Sequence, residues 1–176
     1  PAATAVPSTS HFTPPDATPR PALVQDILLS PAGETTLAEV QAQTNFSLYR
    51  PAGWPLPDRV YYQTHDWPGV VIFVWLEPGS TDEVRLALYQ INASTFAYKE
   101  AEQVEQIVLN GREAFWVEGG HWLQLRDGTV QPWLFVPGNV LIWWSERGTT
   151  FRLESGLSLA EAKQVAESLV VVPERE

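Results

Sequence analysis

The sequence predicts an α+β domain in which a short N-terminal helix and a C-terminal helix pack on one face of a mostly antiparallel sheet of about six to nine strands. Three observations lead to this prediction. Apolar runs of strand length follow one another with short turns between them. Asn110-Gly111 separates two alternating apolar runs, which is the signal of a tight hairpin. Capping-box patterns at Thr36 and Ser158 open helices near the two ends of the chain.

Residues 139–169 are the clearest scaffold unit, and they predict a strand, a turn at Gly148, a second strand and a helix. The first strand is apolar on both faces, since Trp143 and Trp144 point to opposite sides, so it is expected inside a sheet. In the second strand Phe151 and Leu153 alternate with Arg152 and Glu154, and this pattern predicts that the charged face meets solvent. The helix should place a narrow apolar stripe on the sheet, formed by Leu159, Ala162, Val165, Ala166 and Leu169.

Earlier segments continue the strand pattern. The continuous apolar run of residues 70–76 predicts another central strand, and residues 84–91 alternate cleanly. Residues 121–125 predict a further strand, while the prolines around Trp133 favour an edge strand or a covering loop. Residues 92–103 are polar and fit a loop or a helical turn.

The chain divides into a tether, residues 1–34, and a single α+β domain, residues 35–173. Seven of the fifteen prolines lie in the tether, and a segment of that composition favours extended conformations. Within it, residues 22–29 form an apolar run that we expect to dock on the domain. No apolar run approaches the length of a membrane span, so any signal peptide or anchor is expected upstream of Pro1.

Composition argues against several classes of partner. The formal net charge of -10 makes nucleic acid and anionic membrane surfaces poor partners, because both need a positive footprint. The chain has no cysteine, which excludes disulfides and thiolate chemistry.

Several of these pieces occur in one order that resembles a known family. The order is a capped helix at residues 36–40, residues 46–51 (Phe-Ser-Leu-Tyr-Arg-Pro), the hairpin at residues 108–115, the strand pair at residues 141–153 and Ala-Glu-Ser-Leu at residues 166–169. Over roughly residues 35–170 the chain is similar to a bacterial domain of unknown function found at the extracytoplasmic end of anti-sigma factors and in putative lipoproteins. The resemblance implies an exported module, often tethered through a membrane helix, and it brings no catalytic residues.

Residue chemistry offers little evidence for an active site. His11, His65 and His121 are not paired at metal-ligand spacing, and no phosphate loop or serine elbow occurs. The candidate carboxylates are expected mainly at strand ends and on solvent faces: Glu77, Asp82, Glu113, Glu118, Glu146 and Glu154. We therefore predict no enzyme activity, no cofactor and no metal site.

The tryptophans in or beside loops are the candidate binding residues: Trp54, Trp67, Trp122 and Trp133. Loop aromatics form platforms for sugar rings or for a partner's apolar side chains, and more often they fold over the sheet and cap its core. The main prediction is a non-catalytic extracytoplasmic sensory or protein-interaction domain. The alternative is a carrier or binding module for an apolar or sugar ligand that uses these tryptophans.

Overall fold

The computed structural model describes residues 20–27, 33–63, 69–91, 104–123, 134–146 and 148–173. The helices in these residues are α1 (Val24–Ile27), α2 (Leu37–Gln43) and α3 (Leu159–Glu167). The strands in the first half are β1 (Glu34–Thr35), β2 (Tyr49–Pro51), β3 (Arg59–Gln63), β4 (Val70–Leu76) and β5 (Val84–Ile91). Those in the second half are β6 (Glu105–Leu109), β7 (Arg112–Val117), β8 (His121–Leu123), β9 (Leu134–Val136), β10 (Asn139–Trp144), β11 (Thr150–Ser155) and β12 (Leu169–Val171).

Eight of these strands form one antiparallel sheet in the order β1-β3-β4-β5-β11-β10-β7-β6. β12 pairs with β2, and β8 pairs with β9, as separate two-stranded ribbons. The predicted α+β class with an antiparallel sheet is confirmed. Both strands predicted to be central, β4 and β10, have a neighbour on each side.

Local signals in the sequence have direct structural counterparts. Asn110 and Gly111 have φ angles of 49° and 75°, the positive values that the predicted tight turn between β6 and β7 requires. Thr36 and Ser158 each accept a hydrogen bond from the backbone of the glutamate three residues on, and the glutamate side chains return the contact, so both capping boxes form.

The first face of the sheet lies under α2, α3 and the β2–β12 ribbon. Its buried cluster combines Trp75, Phe73 and Leu88 from the sheet with Val40 of α2 and Ala162 of α3. The predicted stripe of α3 is therefore buried at Ala162, Val165 and Ala166, while Leu159 and Leu169 are partly buried against the same cluster.

Gln90 attaches the β2–β12 ribbon to this first face. Its side chain is fully buried. The Oε1 atom accepts from the Tyr49 N–H at 2.6 Å, and Nε2 donates to the Tyr49 carbonyl at 3.0 Å. The amide thus replaces, for one residue, the pair of bonds that a neighbouring strand would make.

The second face is covered in part by α1 and β9, whose Val24 and Val136 belong to its buried cluster. The prediction that Arg152 and Glu154 face solvent is wrong. They lie on this second face with exposures of only 3% and 6%, and the Arg152 Nε donates to a Glu154 carboxylate oxygen. The alternation along β11 is as expected, but the opposite face is also covered.

Part of the predicted tether packs on the domain. In the apolar run of residues 22–29, residues 22–24 make backbone contacts with residues 82–84. The predicted tether up to residue 19 and the segment 92–103 lie outside the described residues. No helix in the described part of the chain is long and apolar enough to cross a membrane.

Candidate interaction surface

Trp54 is the predicted site tryptophan whose side chain the structure describes, and it is half-buried. Its ring meets Trp75 edge-on with centroids 5.8 Å apart. The Trp75 Nε1 donates to the Pro55 carbonyl at 3.0 Å, which ties the proline-rich loop to the sheet. In these contacts Trp54 and its loop cover the end of the first-face core.

A β-bulge brings a cation to the same ring. Trp75 pairs with Leu86 and Leu76 pairs with Val84, so Arg85 is the extra residue on β5. The bulge turns Arg85 onto the first face, where its Cζ atom lies 4.7 Å from the centroid of Trp54.

The side chains of the other three predicted tryptophans lie outside the described part of the structure. Trp122 lies in β8, and Trp67 and Trp133 lie outside the described residues. Whether the four form one platform stays a prediction.

The candidate carboxylates do not form a shared site in the described part of the chain. Five of them are exposed, namely Glu77, Asp82, Glu113, Glu118 and Glu146, and Glu154 is buried beside Arg152. The His121 Nδ1 lies 3.0 Å from the carbonyl oxygen of Gly119, within its own turn. Among the described residues, no three His, Asp or Glu side chains cluster as metal ligands.

Trp144, the last residue of β10, belongs to an exposed apolar patch on the second face, where β10, β7 and β6 run side by side. Trp144 is 41% exposed and Val108 is 63% exposed, which is unusual for large apolar side chains on a sheet. Phe115, on the intervening strand β7, meets Trp144 edge-on, with ring centroids 5.7 Å apart and planes at 90°. We call Trp144, Phe115 and Val108 the Trp144 patch.

Strand register explains why these side chains share a surface. Ile142 faces Phe115, and Phe115 faces Gln106, so the three strands present one row of side chains. Trp144 and Val108 are each two residues further along their strands and point to the same side. The patch therefore follows from the pairing of the strands, and flexible loops are not needed to build it.

Two polar side chains, Gln106 and Glu113, lie beside the Trp144 patch on the same face. Gln106 donates to Glu113 across the β6–β7 pair. Glu113 lies directly opposite Val108 in the β6–β7 register and on the same face as Phe115, so its carboxylate borders the apolar side chains. Apolar side chains bordered by a carboxylate suit a partner that offers apolar side chains and a basic one beside them.

A buried charged cluster lies on the second face at β11, the strand next to β10. Ile142 of β10 pairs with Arg152 of β11, which in turn pairs with Tyr89 of β5. The Arg152 Cζ atom lies 5.6 Å from the Tyr89 ring centroid. Burial raises the pKa of Tyr89 well above its usual value, and the neighbouring Glu154 carboxylate adds to this shift. The cluster is paired internally, so its evident role is structural.

Sequence reasoning assigned Trp144 to the scaffold and did not identify it as a candidate binding residue. Its position gave a usable signal, because it is the last residue of β10, beyond the part of the strand that pairs with β7 in the register Val140 to Trp143. An aromatic residue at the end of a covered strand has fewer neighbours to bury it.

No protein-family model, curated protein or solved structure matches this chain. The geometry defines a class only broadly, as an antiparallel α+β domain with an apolar patch on its sheet.

Proposed function

We propose that the protein is a non-catalytic extracytoplasmic domain that binds another protein through the Trp144 patch, as a sensory or interaction module of an anti-sigma-factor-like or lipoprotein-like protein. The observation that carries the interaction role is the exposure of Trp144 and Val108 on an ordered sheet. Exposed apolar patches rimmed by polar residues are typical of protein-binding surfaces. The extracytoplasmic setting is supported by the resemblance of residues 35–170 to the exported bacterial domain.

The rigid setting of the patch favours recognition of a preformed surface. Phe115 lies on β7 between β6 and β10, and its ring packs edge-on against Trp144. Aromatic anchors that are already ordered lose little conformational entropy on binding, which makes them effective centres of an interface.

Site-specific photo-crosslinking in the producing cell tests the proposal. A photoreactive amino acid at Val108 should give a discrete crosslinked protein, and Trp144→Ala should abolish that product. The same group at Gln43, exposed on α2 over the opposite face of the sheet, serves as the matched control. Identical products from both positions, or a product insensitive to Trp144→Ala, would refute the patch as the binding surface.

Location is tested separately. Protease is added to cells whose outer barrier has been permeabilised and whose cytoplasmic membrane is intact. It should degrade the protein while a cytoplasmic marker survives. Protection equal to that of the marker would contradict the extracytoplasmic assignment and leave the patch assignment to the crosslinking result.

A further inference from the structure

Residues 20–27, which we call the strap, fill a gap beside β5 that β11 leaves open. β11 pairs with β5 from Ile91 to Leu86 and ends there. Beyond that point the strap takes over as the neighbour of residues 82–84. The Val24 N–H donates to the Asp82 carbonyl at 2.9 Å, and the Val84 N–H donates to the Ala22 carbonyl at 2.8 Å.

One aliphatic side chain anchors the strap. Val24 is 8% exposed and belongs to the same buried cluster as Val74, Val84 and Val136. α1, which follows in the strap, lies against β9. Ala22 is half-buried, and Gln25 is exposed. We call the edge of residues 82–84, together with this apolar site for Val24, the slot.

The strap's strongest polar contacts are internal. The Arg20 guanidinium donates to both carboxylate oxygens of Asp26, at 2.6 and 2.7 Å, and the Leu23 N–H donates to the same carboxylate at 2.8 Å. Partial burial opposes ionisation of Asp26, but these hydrogen bonds outweigh it and hold the pKa of Asp26 below its usual value. The strap is thus a preshaped turn that joins the sheet through two backbone hydrogen bonds, the buried Val24 and the half-buried Ala22.

We propose that the slot is a peptide-binding site and that the strap is its built-in ligand, displaced when a partner protein supplies an extended segment with an aliphatic residue in the place of Val24. Addition of a strand to an exposed sheet edge is recognition by main-chain hydrogen bonds, with specificity coming from one or two side-chain pockets. The slot has both parts, and the strap shows which chemistry they accept. Segments held by few buried contacts open at lower free energy than the core, so the strap can leave without unfolding of the sheet.

The assignment of the slot as a peptide-binding site shares one assumption with the proposed function, which is that the partner is another protein. It lies at the start of β5, whereas Trp144 lies in the row of side chains that continues through Thr150 to Ile91 at the end of β5. The two surfaces are therefore separate and can be tested independently.

The test uses the full chain and a dye-labelled peptide with the sequence of residues 20–27. The chain carrying Val24→Asp should bind this peptide, because its own strap no longer fills the slot. The wild-type chain should bind it at least about tenfold more weakly, because a tethered segment competes at an effective concentration in the millimolar range. A peptide with the same Val24→Asp change should bind neither chain, and Gln25→Asp should leave the chain like wild type.

Two results would overturn the proposal: a folded Val24→Asp chain that fails to bind the wild-type peptide, or equal binding to both chains. If Val24→Asp does not fold, amide hydrogen exchange on the wild-type chain decides instead. The Val24 amide should exchange at least about tenfold faster than the Leu88 amide after correction for intrinsic rates, and equal protection would exclude a separately opening strap. Trp144→Ala should leave peptide binding unchanged, which separates failure of the slot from failure of the Trp144 patch.

Discussion

Replacement of Gln90 by leucine should destabilise the fold by loosening the β2–β12 ribbon. Leucine has a similar volume and suits the apolar first face, so the change leaves no large cavity. It removes both hydrogen bonds to Tyr49, the 2.6 Å bond to the N–H and the 3.0 Å bond to the carbonyl. The effect therefore measures the two polar contacts and little else.

The magnitude follows from the burial of the atoms left behind. Gln90 is 0% exposed and Tyr49 is half-buried, and leucine offers the Tyr49 N–H and carbonyl neither an acceptor nor a donor. A buried polar group without a partner costs about 1–3 kcal/mol, and two such groups give about 2–5 kcal/mol after partial relaxation of β2. Urea denaturation followed by tryptophan fluorescence should show a lower midpoint with little change in slope.

Gln90→Glu gives a second readout with a pH signature. A carboxylate in this position still accepts from the Tyr49 N–H, but it faces the Tyr49 carbonyl oxygen without a proton to donate. Burial disfavours the charged form, so the pKa of the introduced carboxyl should rise in the folded state. Stability should then be greatest below the unfolded pKa of about 4.3 and fall as the pH rises through the folded pKa.

Gln164→Leu is the matched control, because Gln164 is exposed on α3 and its side chain is not buried against the sheet. It should change the free energy of unfolding by less than about 0.5 kcal/mol. If Gln90→Leu were as mild as Gln164→Leu, the amide bridge would not hold the ribbon and the reasoning would fail.

Three further outcomes are expected. Arg152→Leu should lower the free energy of unfolding, measured by urea denaturation, by about 3–5 kcal/mol, because it leaves the Glu154 carboxylate buried without its cation. The double variant Arg152→Leu with Glu154→Leu should recover most of that loss, and a double variant as unstable as the single one would contradict this. Gly111→Ala should lower the free energy of unfolding by about 1 kcal/mol or slightly more, and with it the melting temperature. The φ angle of Gly111 is +75°, which strains any residue with a Cβ, and an added Cβ would meet no neighbouring atom, so backbone strain is the cause. An unchanged melting temperature would refute this. Hydrogen bonds from Ser158 lower the pKa of Glu161, so the stability that they add is present above about pH 4.3 and is lost as the pH falls through the lower folded pKa. In an NMR titration, Ser158→Ala should return the pKa of Glu161 toward its usual value. An unchanged titration curve would show that the capping box does not cause the shift.

Sequence was a good guide wherever the determinant is local. The Asn110-Gly111 turn depends on two adjacent residues that tolerate positive φ, and its angles match the expectation. The capping boxes at Thr36 and Ser158 depend on a glutamate three residues away, and both form. The continuous apolar character of β4 correctly indicated a strand between two others.

Sequence was a poor guide where the determinant lies far along the chain. Arg152 and Glu154 looked solvent-facing because alternation shows which residues share a face, not whether distant segments cover it. Val24 belongs to the buried cluster on that face, although it lies far from β11 in sequence and no local pattern indicates which strand it covers. The Trp144 patch was missed for the converse reason, since an apolar residue in a central strand is normally buried.

The pairing of β5 with β11 has a consequence for how the domain comes together. It joins residues 86–91 to residues 150–155, whereas the hairpins on either side of it join near neighbours in sequence. Within the eight-stranded sheet, the strands β1, β3, β4 and β5 form one half and the strands β6, β7, β10 and β11 form the other, and the two halves meet at this one ladder, which we call the seam. A chain cut between Ile91 and Val104 would sever none of the described strands, so two separately made fragments have the geometry to reassemble along that seam. Among the ladders of the eight-stranded sheet, the seam joins the residues most distant in sequence, so in the intact chain it should be the last of them to close.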